Sequence, residues 1–497
     1  MSTSDVVAAG LTAADLRSQN PWWQELPQRR LPTGRRWLFS RLLARIREPL
    51  APVLLVRGPR QVGKTTLQLQ LIDQLLSDGV PPRHILRAQF DDAPSLRHSD
   101  RSLLDLAHWF EDEVLGRSFN EVAREGRPAV LFLDEVQNLR GWDVQLKQIV
   151  DTSDVLCVVT GSSALRIGLG RDSLAGRIQS FDLGTLRLSE IAQVRGLGSL
   201  PPLQPDNGTQ EWFHPDFWRA LARHGTRHGQ VRDAAFSAFS DRGSYPRSHT
   251  TVDIPWAEVA DQLNETVVRR VIQHDLRLGD RGRKRDPELL EEVFRLACRY
   301  AGQAPRPSHL AAEARARLQA NVGDQRIRHY LDFLDSSLLV RAVQPLEIRL
   351  KKQRSSARLC LCDHGVRAAW LQESVPLMPE ALRQSPHLAS VAGHLVESIV
   401  GYFLSTLTGV DVAHLPERPG QPEIDFVVTA GTRRLPVEVK YQQRLDPRRD
   451  TAGLVAFMDT PANEADAGLL ICQSSDPLPS LDPRIVAVSL ADFLLVR

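Results

Sequence analysis

Charge imbalance is nearly missing from this chain: 62 Lys and Arg stand against 60 Asp and Glu, a formal net charge of +2. Any surface for a polyanion must therefore be local rather than global. Cysteine is scarce too. The five present (Cys157, Cys298, Cys360, Cys362, Cys472) are scattered and odd in number, and the single C-x-C lacks a second pair to complete a zinc site. A disulfide-stapled scaffold is excluded, and the thiols read as reduced in a cytosol. No window approaches the roughly 18 uninterrupted apolar residues of a membrane span. The opening MSTSDVVAAGLTAADLRSQN lacks the charged-then-apolar pattern of a leader. No repeat appears at solenoid or propeller periods. A cytoplasmic protein with no membrane partner is expected.

What is present is an ordinary globular composition, 42 % hydrophobic and 25 % charged, over 497 residues. At roughly 150 residues per domain, that length predicts about three domains. Residues 1–50 begin polar and turn helical, with Trp37, Leu38, Leu42, Leu43 and Ile46 at helix spacing before Pro49 and Pro52. The apolar run Val53–Val56 follows, then a glycine turn and a helix from Thr65 to Leu76. Further short β-branched runs lie at Val130–Leu133 and Val155–Val159. Strands alternating with helices predict a parallel sheet covered on both faces. From about 198 to 255 the rhythm is lost, and the stretch reads as an insertion or connector. Residues 256–345 are again helical, and from 391 the order helix, strand, strand, helix, strand predicts a second, smaller α/β unit.

Gly58-Pro59-Arg60-Gln61-Val62-Gly63-Lys64-Thr65 fits G-x-x-x-x-G-K-[ST], between a predicted strand and a predicted helix. Backbone N–H groups of such a turn (Gly58, Gln61, Val62, Gly63, and Thr66 in the first helical turn) and the positive end of the helix suit the phosphates of ATP. Lys64 adds a point charge for the β- and γ-phosphates, and the Thr65 hydroxyl suits Mg²⁺. About 70 residues on, Val130–Leu133 carries Asp134 and Glu135 to the strand end where open α/β sheets bind ligands. Asp134 is expected in the Mg²⁺ shell, with Glu135 as the base that polarises water. A third strand ends at Thr160, with Ser162 close behind; either suits the γ-phosphate or a water, or simply caps the strand. Arg177, after Gly176, is a candidate to stabilise transition-state charge in a neighbouring subunit, against the plainer reading of a surface salt bridge.

The segments GPRQVGKTT, LFLDEVQNL, VVTGSSALR and LAGR resemble those of AAA+-type ATPases from a large group of bacterial and archaeal proteins, in which a C-terminal domain of long-undefined function follows the ATPase. The resemblance runs from about Trp37 to Tyr441 and takes in Gln89-Phe90-Asp91-Asp92 and Gln137. The stretch at 198–250 is longer and more polar than the resemblance implies.

In the middle, Leu289–Leu296 forms an amphipathic helix, Ser308 begins a second through Leu318, and Asp324 caps a third from Gln325 to Leu334. The strand Leu338–Val343, the basic loop Arg349–Arg354 and the strand Arg358–Cys362 follow. Three helices and a basic hairpin outline a winged helix. Its third helix, with Gln325, Arg326, Arg328 and His329, would face a DNA major groove, and Lys351, Lys352 and Arg354 would cross phosphates. The run Arg277, Arg281, Arg283, Lys284 and Arg285 is a second basic strip. The plainer reading is a helical lid with solvated charges.

Near the C-terminus, Pro422–Val428 reads as a strand that begins with an acid, Glu423 and Asp425 sharing the acidic role, and Leu435–Lys440 as its hairpin partner. Glu438 and Lys440 share one face. Thirteen residues separate Asp425 from Glu438, so the hairpin brings both acids together. Glu397 flanks the apolar stripe of the helix Gly393–Leu407. This set resembles the E…D…ExK constellation of the PD-(D/E)xK nuclease superfamily. The resemblance implies that Asp425 and Glu438 hold Mg²⁺, that Glu397 belongs with them and with Lys440 to the catalytic set, and that Lys440 orients or stabilises the nucleophile.

The expected architecture is α/β and multidomain: a P-loop, AAA+-like parallel sheet, a helical and winged-helix middle, and a C-terminal PD-(D/E)xK-like α/β domain. Its segments are an N-terminal helical piece (1–50), the ATPase core (51–197), a connector and helical lid (198–285), the winged helix (286–365) and the nuclease-like domain (366–497). The expected function is an ATP-hydrolysing, DNA-binding protein with a Mg²⁺-dependent nuclease, in repair, recombination or defence against foreign DNA. Its expected partner beside DNA is a homo-oligomer, a hexameric ring among the options. The alternative is a nucleotide-gated regulatory or scaffold ATPase whose nuclease-like domain is inactive and binds a partner.

Overall fold

The computed structural model describes residues 6–8, 11–26, 30–90, 101–161, 174–204, 209–273, 286–346, 356–417, 423–474 and 481–496. The chain forms two compact units, Met1–Leu183 and Gly184–Arg497.

The first unit is built on five parallel strands: β1 (Val53–Arg57), β2 (Ile85–Gln89), β3 (Val130–Asp134), β4 (Leu156–Gly161) and β5 (Ile178–Asp182). Their order across the sheet is β2-β3-β4-β1-β5. The continuous apolar runs of β1, β3 and β4 are buried along almost their whole length, as a sheet covered on both faces requires. The sequence pattern misses β2 and β5. Arg87 and Gln89 interrupt the first, and the second is only half-buried, with the mixed pattern Ile-Gln-Ser-Phe-Asp.

Strand β2 lies at the sheet edge, and side chains of residues 19–23 cover it. Asn20 brackets Arg87, its Oδ1 accepting the Arg87 N–H at 2.6 Å and its amide donating to the Arg87 carbonyl at 2.8 Å. Gln19 accepts the Gln89 N–H at 2.8 Å, and both Trp22 and Trp23 donate to the Ile85 carbonyl. These side chains take the bonds that a further strand would take, so the edge offers no template for pairing.

The second unit begins with a correction. Residues 198–255, expected to lack rhythm, include the helices α2 (Pro215–Arg227) and α3 (Gly229–Arg242), once α1 is given to the first unit's Lys64–Ser77. Trp212, Phe217 and Trp218 pack ring to ring, and Phe493 stacks on Trp218 at 6.4 Å. Aromatic burial, not aliphatic periodicity, holds these helices.

Three more helices follow, α4 (Pro287–Arg299), α5 (Pro307–Leu318) and α6 (Asp324–Ser336). An antiparallel pair comes next, β6 (Val340–Val343) with β7 (Arg358–Leu361). The helix α7 (Ala389–Ser405) then leads into a five-stranded sheet of β8 (Asp411–Leu415), β9 (Ile424–Ala430), β10 (Arg433–Lys440), β11 (Gly468–Cys472) and β12 (Ile485–Ser489), in chain order across the sheet. The first two junctions are antiparallel and the last two parallel. The sequence pattern resolves only three of these five strands. Among the described residues, Pro386–Ser405 is long and apolar enough by composition to cross a membrane. Its length follows from its place in the core: Leu395, Val396, Val400 and Leu404 are buried there.

The hairpin is tied to this sheet rather than hung from it. Pro345 bridges His414 of β8, with the Leu346 N–H donating to the His414 carbonyl at 2.8 Å. Ser398 of α7 accepts the Leu361 N–H at 2.8 Å.

Candidate active site

The first site lies where β1 ends and α1 begins. The turn Gly58–Gly63 holds two residues in the left-handed region, Gln61 (φ 64°) and Gly63 (φ 92°). Gly58 is needed for a different reason: a Cβ there would meet the Leu183 carbonyl oxygen at 2.2 Å. Lys64 is buried and donates to the Gly58 and Pro59 carbonyls at 2.9 and 2.8 Å, lying along its own loop. Thr65 and Thr66 open α1, and the Thr65 hydroxyl donates to Asp134 Oδ2 at 2.7 Å across to β3. A hydroxyl beside a carboxylate is the oxygen set that a hard cation takes together with phosphates, so Thr65 and Asp134 fit Mg²⁺.

Asp134 is wholly buried. The Thr160 hydroxyl at the end of β4 donates to its Oδ1, and Gln68 of α1 donates to Thr160 at 3.2 Å. Adjacent Glu135 sits in the left-handed region (φ 57°, ψ 37°), and the Gln137 amide donates to its carboxylate. A non-glycine residue held there is a costly conformation, of the kind that clusters at functional sites. Ser162 lies outside the described residues. Arg177 is half-exposed and pairs with Asp151 of the helix Trp142–Thr152 and with the Ala175 carbonyl. That is the surface ion pair of the plainer reading.

Three residues in this pocket escaped the sequence reading. Arg36 donates to the Val62 carbonyl, Gln68 binds Thr160, and buried Arg87 of β2 lies 3.6 Å from Asp134 Oδ2. Only Arg87 left a signal, as a charge inside an otherwise apolar run.

The acids of the second unit also converge, but on a cation that the sequence reading assigned elsewhere. Arg358, the first residue of β7, has a side chain only 4 % exposed. It donates to Glu397 and to Glu423 at 2.5 Å each, approaches Asp425 Oδ1 at 3.1 Å and donates to the Gly302 carbonyl at 2.9 Å. Asp425 Oδ2 accepts the Val439 N–H at 2.9 Å. Lys440 pairs with Glu438 Oε1, while Glu438 Oε2 is buried without a hydrogen-bond partner. Burial and the neighbouring Asp425 push the Glu438 carboxyl up to about 8. Burial also raises Glu397, against the bond from His394. Burial disfavours charge on Arg358, but Asp425, Glu397 and Glu423 more than offset it and hold the guanidinium charged.

The expected Mg²⁺ does not fit here. Both oxygens of Asp425 are engaged, Glu397 is shared between Arg358 and His394, and one oxygen of Glu438 remains. Among the described residues, no three His, Cys, Asp or Glu side chains are grouped to hold a metal ion. The expectation that Asp425 and Glu438 form a metal cage is thus corrected, because a protein guanidinium lies against the acid that a metal would need.

In the middle region, α6 leaves Gln325, Arg326, Arg328 and His329 exposed on one side while Ile327, Tyr330, Phe333 and Leu334 are buried. Arg326 reaches Asp286 at 3.4 Å and lies over the Tyr330 ring. Lys351, Lys352, Arg354 and the strip Arg277–Arg285 lie outside the described residues. All five cysteines are buried thiols without disulfides. Burial pushes Cys157, Cys298 and Cys360 up to about 12.

Comparison with known proteins follows the same division. Residues 51–192 match the model of the AAA domain. They carry a P-loop ATPase domain. Residues 236–376 match a domain of unknown function (DUF8612), and residues 392–493 another (DUF4143). An uncharacterized protein of Haemophilus influenzae is 22 % identical over 397 residues, 78 % of this chain and 82 % of its own length. An uncharacterized protein of Methanocaldococcus jannaschii is 22 % identical over 382 residues, 76 % of this chain and 72 % of its own. Among solved structures, the Walker-type ATPase of Pyrococcus abyssi aligns with 68 % of this chain and 98 % of its own, at 14 % identity and a TM-score of 0.39.

Proposed function

We propose that this protein is a nucleotide-gated, DNA-binding ATPase whose C-terminal nuclease-like domain serves as a binding module. The observation that carries the reading is Asp134 joined by hydrogen bonds to Thr65 and Thr160 at the strand ends of the first sheet, beside Lys64 folded onto the Gly58 and Pro59 carbonyls of its loop. In this reading the N–H groups from Gly58 to Thr66 and the start of α1 receive the ATP phosphates. Lys64 leaves its two carbonyl partners for the phosphates. Thr65 and Asp134 are the residues that would hold Mg²⁺, which supplies charge neutralisation at the phosphates. Glu135 takes a proton from water, Thr160 reports the γ-phosphate, and Arg177 of a neighbouring copy completes the site after releasing Asp151. An oligomer, a hexameric ring included, belongs to that last step.

The DNA grip is the winged-helix outline of residues 286–365, with Arg326 and Arg328 on α6 and Lys351, Lys352 and Arg354 on the wing. The division at 1–50, 51–197, 198–285, 286–365 and 366–497 and the cytoplasmic location are parts of the same proposal. No cleavage step follows from the donor set around Asp425, so repair, recombination or defence by cutting DNA is not part of it.

The test measures ATP turnover in Mg²⁺ with no DNA and with duplex, single-stranded or branched DNA, together with DNA binding by fluorescence anisotropy. ATP turnover that depends on Lys64 and changes with DNA supports the reading. Turnover indifferent to DNA, with no binding, removes its DNA half.

A further inference from the structure

An arginine at the start of a strand ordinarily carries its head into water, and arginine is among the side chains least often buried unless paired. Arg358 is one of several buried arginines here, and it is paired with three carboxylates at once. Its Nη1 meets Glu397 Oε2, Asp425 Oδ1 and the Gly302 carbonyl, its Nη2 meets Glu423 Oε1, and the ring of Phe426 lies 5.5 Å away. The planar five-donor fork suits this crowd of carboxylates better than an ammonium would.

The oxygens can be counted one by one. Asp425 spends Oδ2 on a backbone N–H and Oδ1 on Arg358. Glu438 spends Oε1 on Lys440 and keeps Oε2 buried and unbonded. A divalent cation such as Mg²⁺ demands near-octahedral oxygens at about 2.0–2.1 Å. At Asp425 it would have to sit beside the Arg358 guanidinium, 3.1 Å from Oδ1, and two cations this close in a buried site repel strongly.

We infer that Arg358 is the resident cation of this acid cluster, and that Arg358 and a divalent metal are mutually exclusive occupants of it. The wild-type chain then holds no divalent ion at Asp425 and Glu438. Removing the guanidinium leaves Glu397, Glu423 and Asp425 without their counter-ion; they are not grouped as metal ligands as they stand, so a divalent ion that replaces the charge must draw them inward. The cluster also ties β7 of the hairpin to α7 and β9, so metal entry requires β7 to give up that tie.

The test uses the full chain without nucleotide and reads neither ATP turnover nor DNA binding, so it stands apart from the reading above. Uptake of Mn²⁺ is followed by electron paramagnetic resonance in the wild type, Asp425→Asn, Arg358→Gln and the double variant. Thermal melting is recorded with and without Mg²⁺. Wild type and Asp425→Asn are expected to take up Mn²⁺ equally, any binding at Thr65 and Asp134 being common to both. Arg358→Gln melts lower, takes up a further equivalent, and regains part of its melting temperature in Mg²⁺. The double variant loses that gain. Greater uptake by wild type than by Asp425→Asn overturns the inference, and so does a folded Arg358→Gln chain with no further uptake. Should Arg358→Gln fail to fold, the comparison of wild type with Asp425→Asn still decides: equal uptake supports the inference, and extra uptake in the wild type overturns it.

Discussion

Two buried aspartates, each on a sheet strand, face opposite situations: Asp134 closes β3, and Asp425 lies near the start of β9. Asp134 takes its hydrogen bonds from two hydroxyls, those of Thr65 and Thr160, which can turn to other partners as a ligand arrives, and the Arg87 guanidinium stands further off, 3.6 Å from Oδ2. Asp425 is bonded by a guanidinium and a strand N–H, neither of which can be given up without leaving a buried charge alone. A carboxylate held by rotatable neutral donors remains available for chemistry, whereas one held by a fixed cation is part of the framework. The same residue type, buried on a strand in each case, thus serves two ends.

The largest expected effect separates the parts of the first site. Lys64→Ala should remove nucleotide binding and with it turnover, because the phosphates lose their point charge. Glu135→Gln should bind ATP as the wild type does while turnover falls by about 10²-fold or more, the scale of a lost general base. Binding of a fluorescent ATP analogue and phosphate release measure the two properties. Equal loss of binding in both variants would remove Glu135 from the role of base.

The next effect turns the comparison into a swap. Asp134→Asn should show in turnover, and Asp425→Asn in stability. The second change weakens a buried charge-assisted pair with Arg358 and should cost about 2 kcal/mol in denaturant unfolding, with ATP turnover kept. Were Asp425→Asn as stable as wild type, the acid would not be part of the framework, and the contrast drawn here would fail.

Much of the first site was legible because its motif is local. Eight consecutive residues from Gly58 to Thr65 carry the turn, the charge and the hydroxyl, and Asp134 ends an apolar run that reads plainly as a strand. What stayed hidden lies at long range. Arg87 and Gln89 made β2 look like no strand, and its cover by Asn20, Trp22 and Trp23 spans more than 60 residues. The C-terminal acids were legible one by one, and the hairpin bringing Asp425 to Glu438 was readable from spacing alone. Arg358 was assigned to a different module, 67 residues before Asp425, and no periodicity could place its guanidinium among those acids. Residues 215–242 fall in the expected connector and helical lid; what spacing could not show is Phe493, 275 residues beyond Trp218, stacking on it to complete the ring cluster of Trp212, Phe217 and Trp218.

A smaller effect concerns α6. Its buried side is spent on packing, while Arg326 and Arg328 lie on the exposed side, Arg326 also pairing with Asp286 at 3.4 Å. Changing both to Ala should weaken duplex DNA binding about tenfold and lower the salt-dependence slope by about 2, roughly one per lost phosphate contact. An unchanged slope with weaker binding to one sequence alone would instead mark them as base readers.

The smallest effect is a pH dependence in the second unit, and its sign follows from the hydrogen bonds of His249. The Arg195 Nε–H points at its Nδ1 at 3.0 Å, and its Nε2 faces the Gly243 carbonyl at 2.9 Å. Only the neutral ring satisfies both, accepting at Nδ1 and donating at Nε2; a proton on Nδ1 would face a guanidinium. Burial, with Arg195 and Arg242 nearby, lowers its pKa to about 4. Burial likewise lowers His414 to about 4. Because the folded values lie below the unfolded value near 6.5, the unfolded chain binds more protons between pH 6.5 and 4. Stability is therefore full above pH 6.5 and is lost as pH falls through that window, by roughly 3 kcal/mol for each histidine. Glutamine can accept and donate as the neutral ring does, without titrating. His249→Gln should melt close to wild type at pH 7.5 and above it at pH 4.5, with part of the acid sensitivity kept, since burial lowers His414 and His364 as well. Parallel melting curves of wild type and His249→Gln across that range would show that the ring is already charged in the fold, against both of its hydrogen bonds.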